Sequence, residues 1–283
     1  YLELGDALES DGQRAAAVAQ YREAARRDPA SGFALFRLGT SLRKSGHPAE
    51  AVTALSRATV LEPERAVAWH ELGLAYQASG RPTDAITSIR RALERDPDLA
   101  EAHTNLGILL AAAGDPTQAE SLFRNAIRLE PRSVDPRVNL ANLLLPAGRI
   151  AEAEDQLQTA LRRKPNDAGA RYSLAMLMGR TGRYDAAERE LLACLRIDSN
   201  FAEAHELLAD LLMAKDRPAE AAAHYRALFQ LRPSAPAELN LALALAASGD
   251  QVGAAEHLRR VAAGSDPQLR QRAREALRRL NLP

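Results

Sequence analysis

Proline recurs along this chain at an interval of 34 residues, at Pro29, Pro63, Pro97, Pro131 and Pro165. Three further columns keep the same register. They are leucine at Leu4, Leu38, Leu72, Leu106, Leu140, Leu174 and Leu208, alanine at Ala17, Ala51, Ala85, Ala119, Ala153, Ala187 and Ala221, and glycine at Gly12, Gly46, Gly80, Gly114, Gly148 and Gly182. This period is typical of helix–turn–helix arrays, in which each unit packs only on its neighbours. The sequence therefore predicts an all-α repeat fold.

The third unit carries the pattern most completely. It reads WHELGLAY from Trp69 to Tyr76, followed by Ala85, Ile89 and Pro97. This resembles the tetratricopeptide repeat, whose pattern is W-x2-L-G-x2-Y, then A-x3-F, then P, and Ile89 is the one departure. The resemblance extends over eight consecutive units, the last of which comes one residue early. It implies a right-handed α-α superhelix (solenoid) of eight repeats plus a C-terminal capping helix.

The unit boundaries follow from the same columns. We expect the eight-unit array over residues 1–264 and the capping helix over residues 265–283. Each unit should contain a helix A and a helix B, which in the third unit cover residues 66–79 and 83–96. Gly80 should end the first of these helices, because glycine accepts the left-handed conformation of a helix C-terminus.

Two local signals modify the regular pattern. Pro146 predicts that helix A of the fifth unit stops or kinks near Leu144, because the residue before a proline avoids the helical conformation. Asp266 and Pro267 form a cap signal with proline at the first helical position. The arginines that follow lie away from the apolar stripe of that helix, which indicates a solvating cap.

The charge balance limits the kinds of partner. Acidic and basic residues number 37 each, and the formal net charge is zero. No unit forms a basic block, so a nucleic-acid partner held through its phosphates is disfavoured. No apolar run is long enough to span a membrane. Arginine greatly outnumbers lysine, which favours a bacterial source, and the sequence fits the cytoplasm as well as the cell envelope or an extracellular setting.

Residues that could carry chemistry are few. Cys194 is the single cysteine and falls in a helix-B column otherwise held by alanine, which predicts a packed thiol. His103 and His205 share the column of Trp69, so we expect them to pack as amphipathic rings. No metal-binding histidine pair and no phosphate-binding glycine loop occurs. We therefore expect no enzymatic activity, no cofactor and no metal site.

The family resemblance also implies a binding face. Helix A lines the concave side of such arrays, and three positions on it generally point into the groove. Here they hold His70, Leu74 and Gln77; Thr104, Ile108 and Ala111; Val138, Asn142 and Leu145; Tyr172, Met176 and Gly179; and Glu206, Asp210 and Met213. The strip is mostly apolar, which predicts an extended or helical peptide with apolar anchors. The alternative is that these residues only pack between neighbouring A helices.

Another binding mode of the family is disfavoured. Its clamp for acidic chaperone tails uses lysine, arginine and asparagine side chains from three consecutive A helices. No three consecutive units here supply that set.

Three functional hypotheses remain open. The first is a non-catalytic scaffold that binds a partner segment in the groove. The second is a structural subunit of a larger bacterial assembly, filamentous or cytochrome-associated and extracellular, in which the uncapped first unit docks on another copy or on an upstream domain. The third is the accessory arm of an enzyme whose catalytic domain is outside this chain. The chain starts inside a helix at Tyr1, so we expect it to belong to a longer or processed protein.

Overall fold

The computed structural model of this chain describes residues 1–280. This part is helical, without strands, and its helices are numbered so that odd numbers up to α15 are A helices and even numbers are B helices. The bounds are α1 Leu2–Ser10, α2 Arg14–Arg27, α3 Gly32–Lys44, α4 Pro48–Leu61, α5 Ala66–Ala78, α6 Pro82–Arg95, α7 Ala100–Ala112, α8 Pro116–Leu129, α9 Asp135–Leu144, α10 Ile150–Arg163, α11 Ala168–Arg180, α12 Tyr184–Ile197, α13 Ala202–Ala214, α14 Pro218–Leu231, α15 Ala235–Ala247, α16 Gln251–Ala262 and α17 Pro267–Arg279. The predicted all-α repeat fold is confirmed.

The turns between helices A and B follow the glycine column. Gly80 has φ +71°, a left-handed value that ends α5, and Pro82 is the first residue of α6. The helices predicted over 66–79 and 83–96 therefore lie within one residue of their observed bounds. Asp216 stands where the other units have glycine and adopts φ +56°. Glycine therefore recurs at this position because the backbone there has a positive φ, which residues other than glycine rarely adopt.

The chain is divided into two compact units, Tyr1–Leu143 and Leu144–Pro283, called here the N-terminal and the C-terminal unit. In the N-terminal unit the successive helices from α1 to α8 pack on one another, and in the C-terminal unit those from α10 to α17 do so. In the C-terminal unit α17 packs on α15 and α16. The division into an array over residues 1–264 and a cap over 265–283 stays a prediction, and residues 281–283 of that cap lie outside the described residues.

Small residues on helix A let helix B approach closely. A Cβ at Gly73 would lie 2.4 Å from Cγ1 of Ile89 and 3.1 Å from the carbonyl oxygen of Ala85. The same pairing of glycine against a large side chain occurs in four repeats: Gly5 with Tyr21, Gly39 with Leu55, Gly73 with Ile89, and Gly107 with Phe123. These large residues form the core of the N-terminal unit and are fully or almost fully buried.

Both local signals in the sequence are found in the fold. Helix α9 ends at Leu144, two residues before Pro146. Helix α17 begins at Pro267, and the carboxylate of Asp266 accepts hydrogen bonds from the backbone N–H groups of Gln268 and Leu269. These bonds satisfy two of the amide donors that a helix N-terminus leaves without partners.

Candidate functional site

Polar contacts join neighbouring A helices of the N-terminal unit. Nε of Arg43 on α3 lies 2.9 Å from a carboxylate oxygen of Glu71 on α5, and both side chains are largely buried. Nδ2 of Asn105 on α7 lies 2.9 Å from Nε2 of His70 on α5. Each contact fixes one A helix against the next, so these side chains stabilise the helix-A face and do not project from it.

His70 differs from the expectation. Only 3% of its surface is exposed, and burial lowers its pKa. Since the amide of Asn105 can only donate at this contact, Nε2 of His70 accepts, and the ring is neutral. His70 was predicted to face a partner, but in the structure it connects two helices.

Apolar side chains remain accessible on the same A helices. The exposed fractions are 36% for Phe33, 39% for Val67 and 36% for Ile108, and Leu74 is half-buried. Among the other predicted residues of these helices, Gln77 is exposed, while Ala111 and Thr104 are half-buried. We call Phe33, Phe36, Val67, Leu74 and Ile108 the apolar strip.

The strip is ordered at its N-terminal end by an arginine. The guanidinium carbon of Arg65 lies 5.2 Å from the ring centroid of Phe33 and 5.8 Å from that of Phe36. The two rings are 6.3 Å apart, and Arg65 is itself paired with Glu62. This geometry holds two aromatic faces in place before any ligand binds.

An acidic cleft lies beside the strip, where α7 meets the start of α9. It has a volume of about 220 Å³. Its lining residues are Ala100, Glu101, Thr104, Asn105, Ala126, Glu130, Ser133, Asp135 and Pro136. Thr104 was predicted from the sequence, but Glu101 and Asp135 were missed. Glu101 lies three residues before Thr104, and Asp135 three residues before Val138. Residues three apart share a helix face, so extending the predicted face by one turn towards the N-terminus would have included both.

Helix α9 places its predicted residues unevenly. Val138 is half-buried and Asn142 is exposed. Leu145 has only 6% of its surface exposed. The helix has already ended at Leu144, so Leu145 leaves the periodic face and packs inward, which corrects the prediction for this residue.

The C-terminal unit keeps a more polar helix-A face. Tyr172 is half-buried, and its ring centroid lies 5.1 Å from that of Phe201. Met176 is also half-buried, whereas Glu206 and Asp210 are exposed. Asp210 accepts a short hydrogen bond from the hydroxyl of Tyr225 on the neighbouring helix B. Its carboxylate is therefore already engaged within the repeat.

One column of helix A anchors each repeat to the turn before it. In five consecutive repeats its side chain donates to the carbonyl oxygen six residues earlier, over 2.8 to 3.1 Å. The donors are Trp69, His103, Arg137, Arg171 and His205, and the acceptors are Pro63, Pro97, Pro131, Pro165 and Ser199. The two histidines in this column thus have a structural role, in agreement with the packed rings expected from the sequence.

The remaining candidates for chemistry are packed or paired. Cys194 is fully buried on α12, and burial raises the pKa of its thiol to about 11. Nδ1 of His205 lies 2.9 Å from Nδ1 of His224, and burial lowers the pKa of His224, so one ring donates and the other accepts. Within residues 1–280 no three His, Cys, Asp or Glu side chains are grouped as metal ligands. None of the helices described is long and apolar enough to cross a membrane.

Comparisons with protein families agree with this fold. The family described as the cilia and flagella-associated protein 70 C-terminal domain matches residues 1–176, more than half of the chain. Two tetratricopeptide repeat families match residues 147–211 and 206–269. No curated protein matches the chain.

Many solved structures are similar, and the three compared below share 24% of their sequence with this chain or less. The Cut9–Hcn1 hetero-tetramer of the APC/C gives a TM-score of 0.70 at 18% identity, over 94% of this chain and 52% of that chain. PilF of Pseudomonas aeruginosa gives 0.63 at 24% identity, over 70% and 91%. YrrB, described as a TPR protein with an unusual peptide-binding site, gives 0.53 at 18% identity, over 69% and 97%. At these identities the likeness shows the fold alone.

Proposed function

We propose that this chain, which belongs to the tetratricopeptide repeat family, is a non-catalytic scaffold that binds a segment of a partner protein. Its residues 1–176 belong to the family of the cilia and flagella-associated protein 70 C-terminal domain. The segment lies on the helix-A face of the N-terminal unit. Apolar side chains of the segment contact the apolar strip. The peptide-binding site named for YrrB supports a peptide ligand by analogy, because the two proteins share their fold.

The observation that carries this proposal is the accessibility of the strip. Phe33, Val67 and Ile108 each keep more than a third of their surface in water, although their helices are packed on both sides. The polar groups of the same face, such as Glu71 and Asn105, are engaged in contacts between helices. A partner therefore meets apolar groups on a rigid support, an arrangement that favours binding because little ordering entropy is lost.

The titratable groups support a scaffold more than a catalyst. Two of the groups with strongly shifted pKa values are the thiol of Cys194, which is packed in the core, and the phenol of Tyr21, which is bonded to Asp6 and Arg37. Both are explained by burial and by contacts with neighbouring helices. Such contacts stabilise the fold, and neither group lines the acidic cleft described above.

Charging the strip should abolish binding. In the double variant Leu74→Glu and Ile108→Glu, carboxylates replace the apolar groups that a ligand would desolvate. We expect the affinity for peptides selected from a random display library to fall roughly 10- to 100-fold. Titration by fluorescence anisotropy measures this loss.

The matched control places the same two charges elsewhere. Val60 and Val252 lie on B helices and are 79% and 82% exposed, so Val60→Glu with Val252→Glu should leave binding unchanged. Circular dichroism should show equal helicity in both double variants. If peptides bind the Leu74→Glu and Ile108→Glu variant as tightly as the control, the strip is not the binding face.

A second candidate function is a subunit of an assembly, and the exposure of two residues in the first repeat favours it. Tyr1 and Leu4 have 49% and 51% of their surfaces in water. Burying them against another copy would remove apolar area from water. Light scattering after size-exclusion chromatography should then give a multiple of 30.6 kDa, and Leu4→Glu should return the mass to that of one chain. A single chain at every concentration would contradict this function.

A further inference from the structure

The last described helix, α17, carries an unusual number of arginines. Its sequence is PQLRQRAREALRR, and its one acidic residue is Glu275. Ala273 and Ala276 are buried against α15 and α16, and the leucines of α17 are partly buried there. The arginines are Arg270, Arg272, Arg274, Arg278 and Arg279, and all of them lie outside this packed stripe.

These five guanidinium groups have no partner among residues 1–280. Glu275 accepts a hydrogen bond from Gln271 and pairs with none of them. Elsewhere in the C-terminal unit, closely spaced cations are neutralised in one cluster, where Lys215 is paired with Glu188, and Arg217 with Glu188 and Glu220. Helix α17 therefore differs in carrying five unpaired guanidinium groups within ten residues.

Some of these arginines border an apolar cleft. The cleft lies between α15 and α17 and has a volume of about 260 Å³. Its apolar lining consists of Leu239, Leu243, Ala246, Ala276 and Leu280, and its polar lining of Arg272, Arg279 and Glu275, whose carboxylate accepts a hydrogen bond from Gln271. Arg270, Arg274 and Arg278 line a second cleft on α17, at intervals of four residues or about 6 Å along the axis.

The cleft lies on the helix-A face of the eighth repeat. Leu239, Leu243 and Ala246 occupy the same positions of their helix as Leu74 and the other predicted contact residues do in earlier repeats. A ligand in this cleft would contact apolar side chains of α15 and guanidinium groups of α17. This arrangement fits a segment that has apolar residues on one face and carboxylates along one edge of that face.

We propose that this arginine-bordered cleft binds an acidic amphipathic segment of a partner protein. Apolar side chains of the segment enter the cleft, and its Glu or Asp carboxylates pair with Arg272 and Arg279. Carboxylates seven residues apart on a helix have the spacing of Arg272 and Arg279, about two turns, and the planar guanidinium can hold a carboxylate through two parallel hydrogen bonds. The proposal rests on the proposed function only in taking a protein segment as the ligand.

Charge and packing favour a protein segment over other anions. An amphipathic helix that binds a membrane inserts its apolar face, but the apolar face of α17 is packed on α15 and α16. Single-stranded nucleic acids need aromatic side chains on which bases stack, and α17 has none. The cleft also differs from the tail clamp of the family, because its arginines come from one helix at the end of the array.

Three synthetic peptides of equal length test the proposal. Each has the same leucine stripe, and two residues seven positions apart beside that stripe are both glutamate, both glutamine or both lysine. We expect the glutamate peptide alone to bind in fluorescence anisotropy titrations, with an affinity that falls as sodium chloride is added. Arg272→Glu with Arg279→Glu should weaken it by at least about 10-fold, because attraction becomes repulsion at two positions.

The control carries the same charge change in the same unit. Arg196 and Arg226 are exposed B-helix residues without partners among the described residues, so Arg196→Glu with Arg226→Glu should change the affinity by less than about 2-fold. Equal binding of the glutamate and glutamine peptides would overturn the proposal. A second result would also overturn it. In that case the wild type binds none of the peptides but binds phosphatidylserine vesicles or an oligonucleotide, and the Arg272→Glu and Arg279→Glu variant loses this binding.

The apolar strip is tested separately from this cleft. The Leu74→Glu and Ile108→Glu variant should bind the glutamate peptide as the wild type does, because neither residue lines the cleft. If the apolar strip proves not to bind the display-selected peptides, the binding of the glutamate peptide to the α17 cleft should therefore be unchanged. Loss of glutamate-peptide binding in that variant would place the acidic segment on the strip and overturn the assignment to α17.

Discussion

Replacing Phe123 by alanine should cost the N-terminal unit about 3–5 kcal/mol of stability. Phe123 is 2% exposed on α8, and its ring lies against Gly107 on α7, where an added Cβ would come within 2.6 Å of Cε1. Alanine would remove the ring and leave a cavity between two helices. The backbone is already at its closest approach at Gly107, so the cavity can collapse only in part.

Native-state hydrogen exchange is the suitable measurement, because repeat arrays open in segments and not always as one unit. The free energy of opening should fall for amides of α7 and α8. Phe33→Ala is the matched control: it removes the same ring from a side chain that is 36% exposed and contacts Phe36 and Arg65, so about 1 kcal/mol should be lost in α3 and α4. Similar losses of opening free energy in both variants would show that Phe123 stabilises the fold no more than the exposed Phe33 does.

This core could be predicted from the sequence because its spacing is set by the backbone. A small residue such as Gly73 and a large one such as Ile89 recur at the same positions along the array, as they must if two helices are to approach closely in each repeat. The glycine of the A–B turn is fixed by its left-handed φ, and Pro146 ends α9 for a steric reason. Each of these effects acts within one repeat and needs no knowledge of its neighbours.

The proposed binding face was harder to predict because the exposure of a side chain depends on the next helix. His70 and Leu74 lie on the same face of α5, yet Asn105 of α7 covers one and leaves the other half-buried. The arginines of α17 were recognised as solvent-facing, but their lack of partners depends on which carboxylates fold nearby. Periodicity gives the direction of a side chain, whereas its partners come from residues about one repeat away.

Cys194 should react with iodoacetamide at least roughly 100-fold more slowly in the native protein than in guanidinium chloride. Its side chain is fully buried on α12, and burial raises the pKa of the thiol to about 11. The thiolate is the reactive form, so near pH 8 burial both blocks the reagent and suppresses its target. Modification must then wait for opening of the helices around α12, which makes the thiol a reporter on the C-terminal unit.

The control moves the thiol to the surface of the same unit. In a variant with Cys194→Ala and Ala223→Cys, the new thiol lies at an exposed position of α14 and should be labelled at the rate of a free cysteine. The alanine is tolerated because Ala126 and Ala160 fill the equivalent position in other repeats. Mass spectrometry over time measures both rates. A native Cys194 rate within about 10-fold of the Ala223→Cys rate would mean that α12 opens readily or that the thiol is not packed in the core.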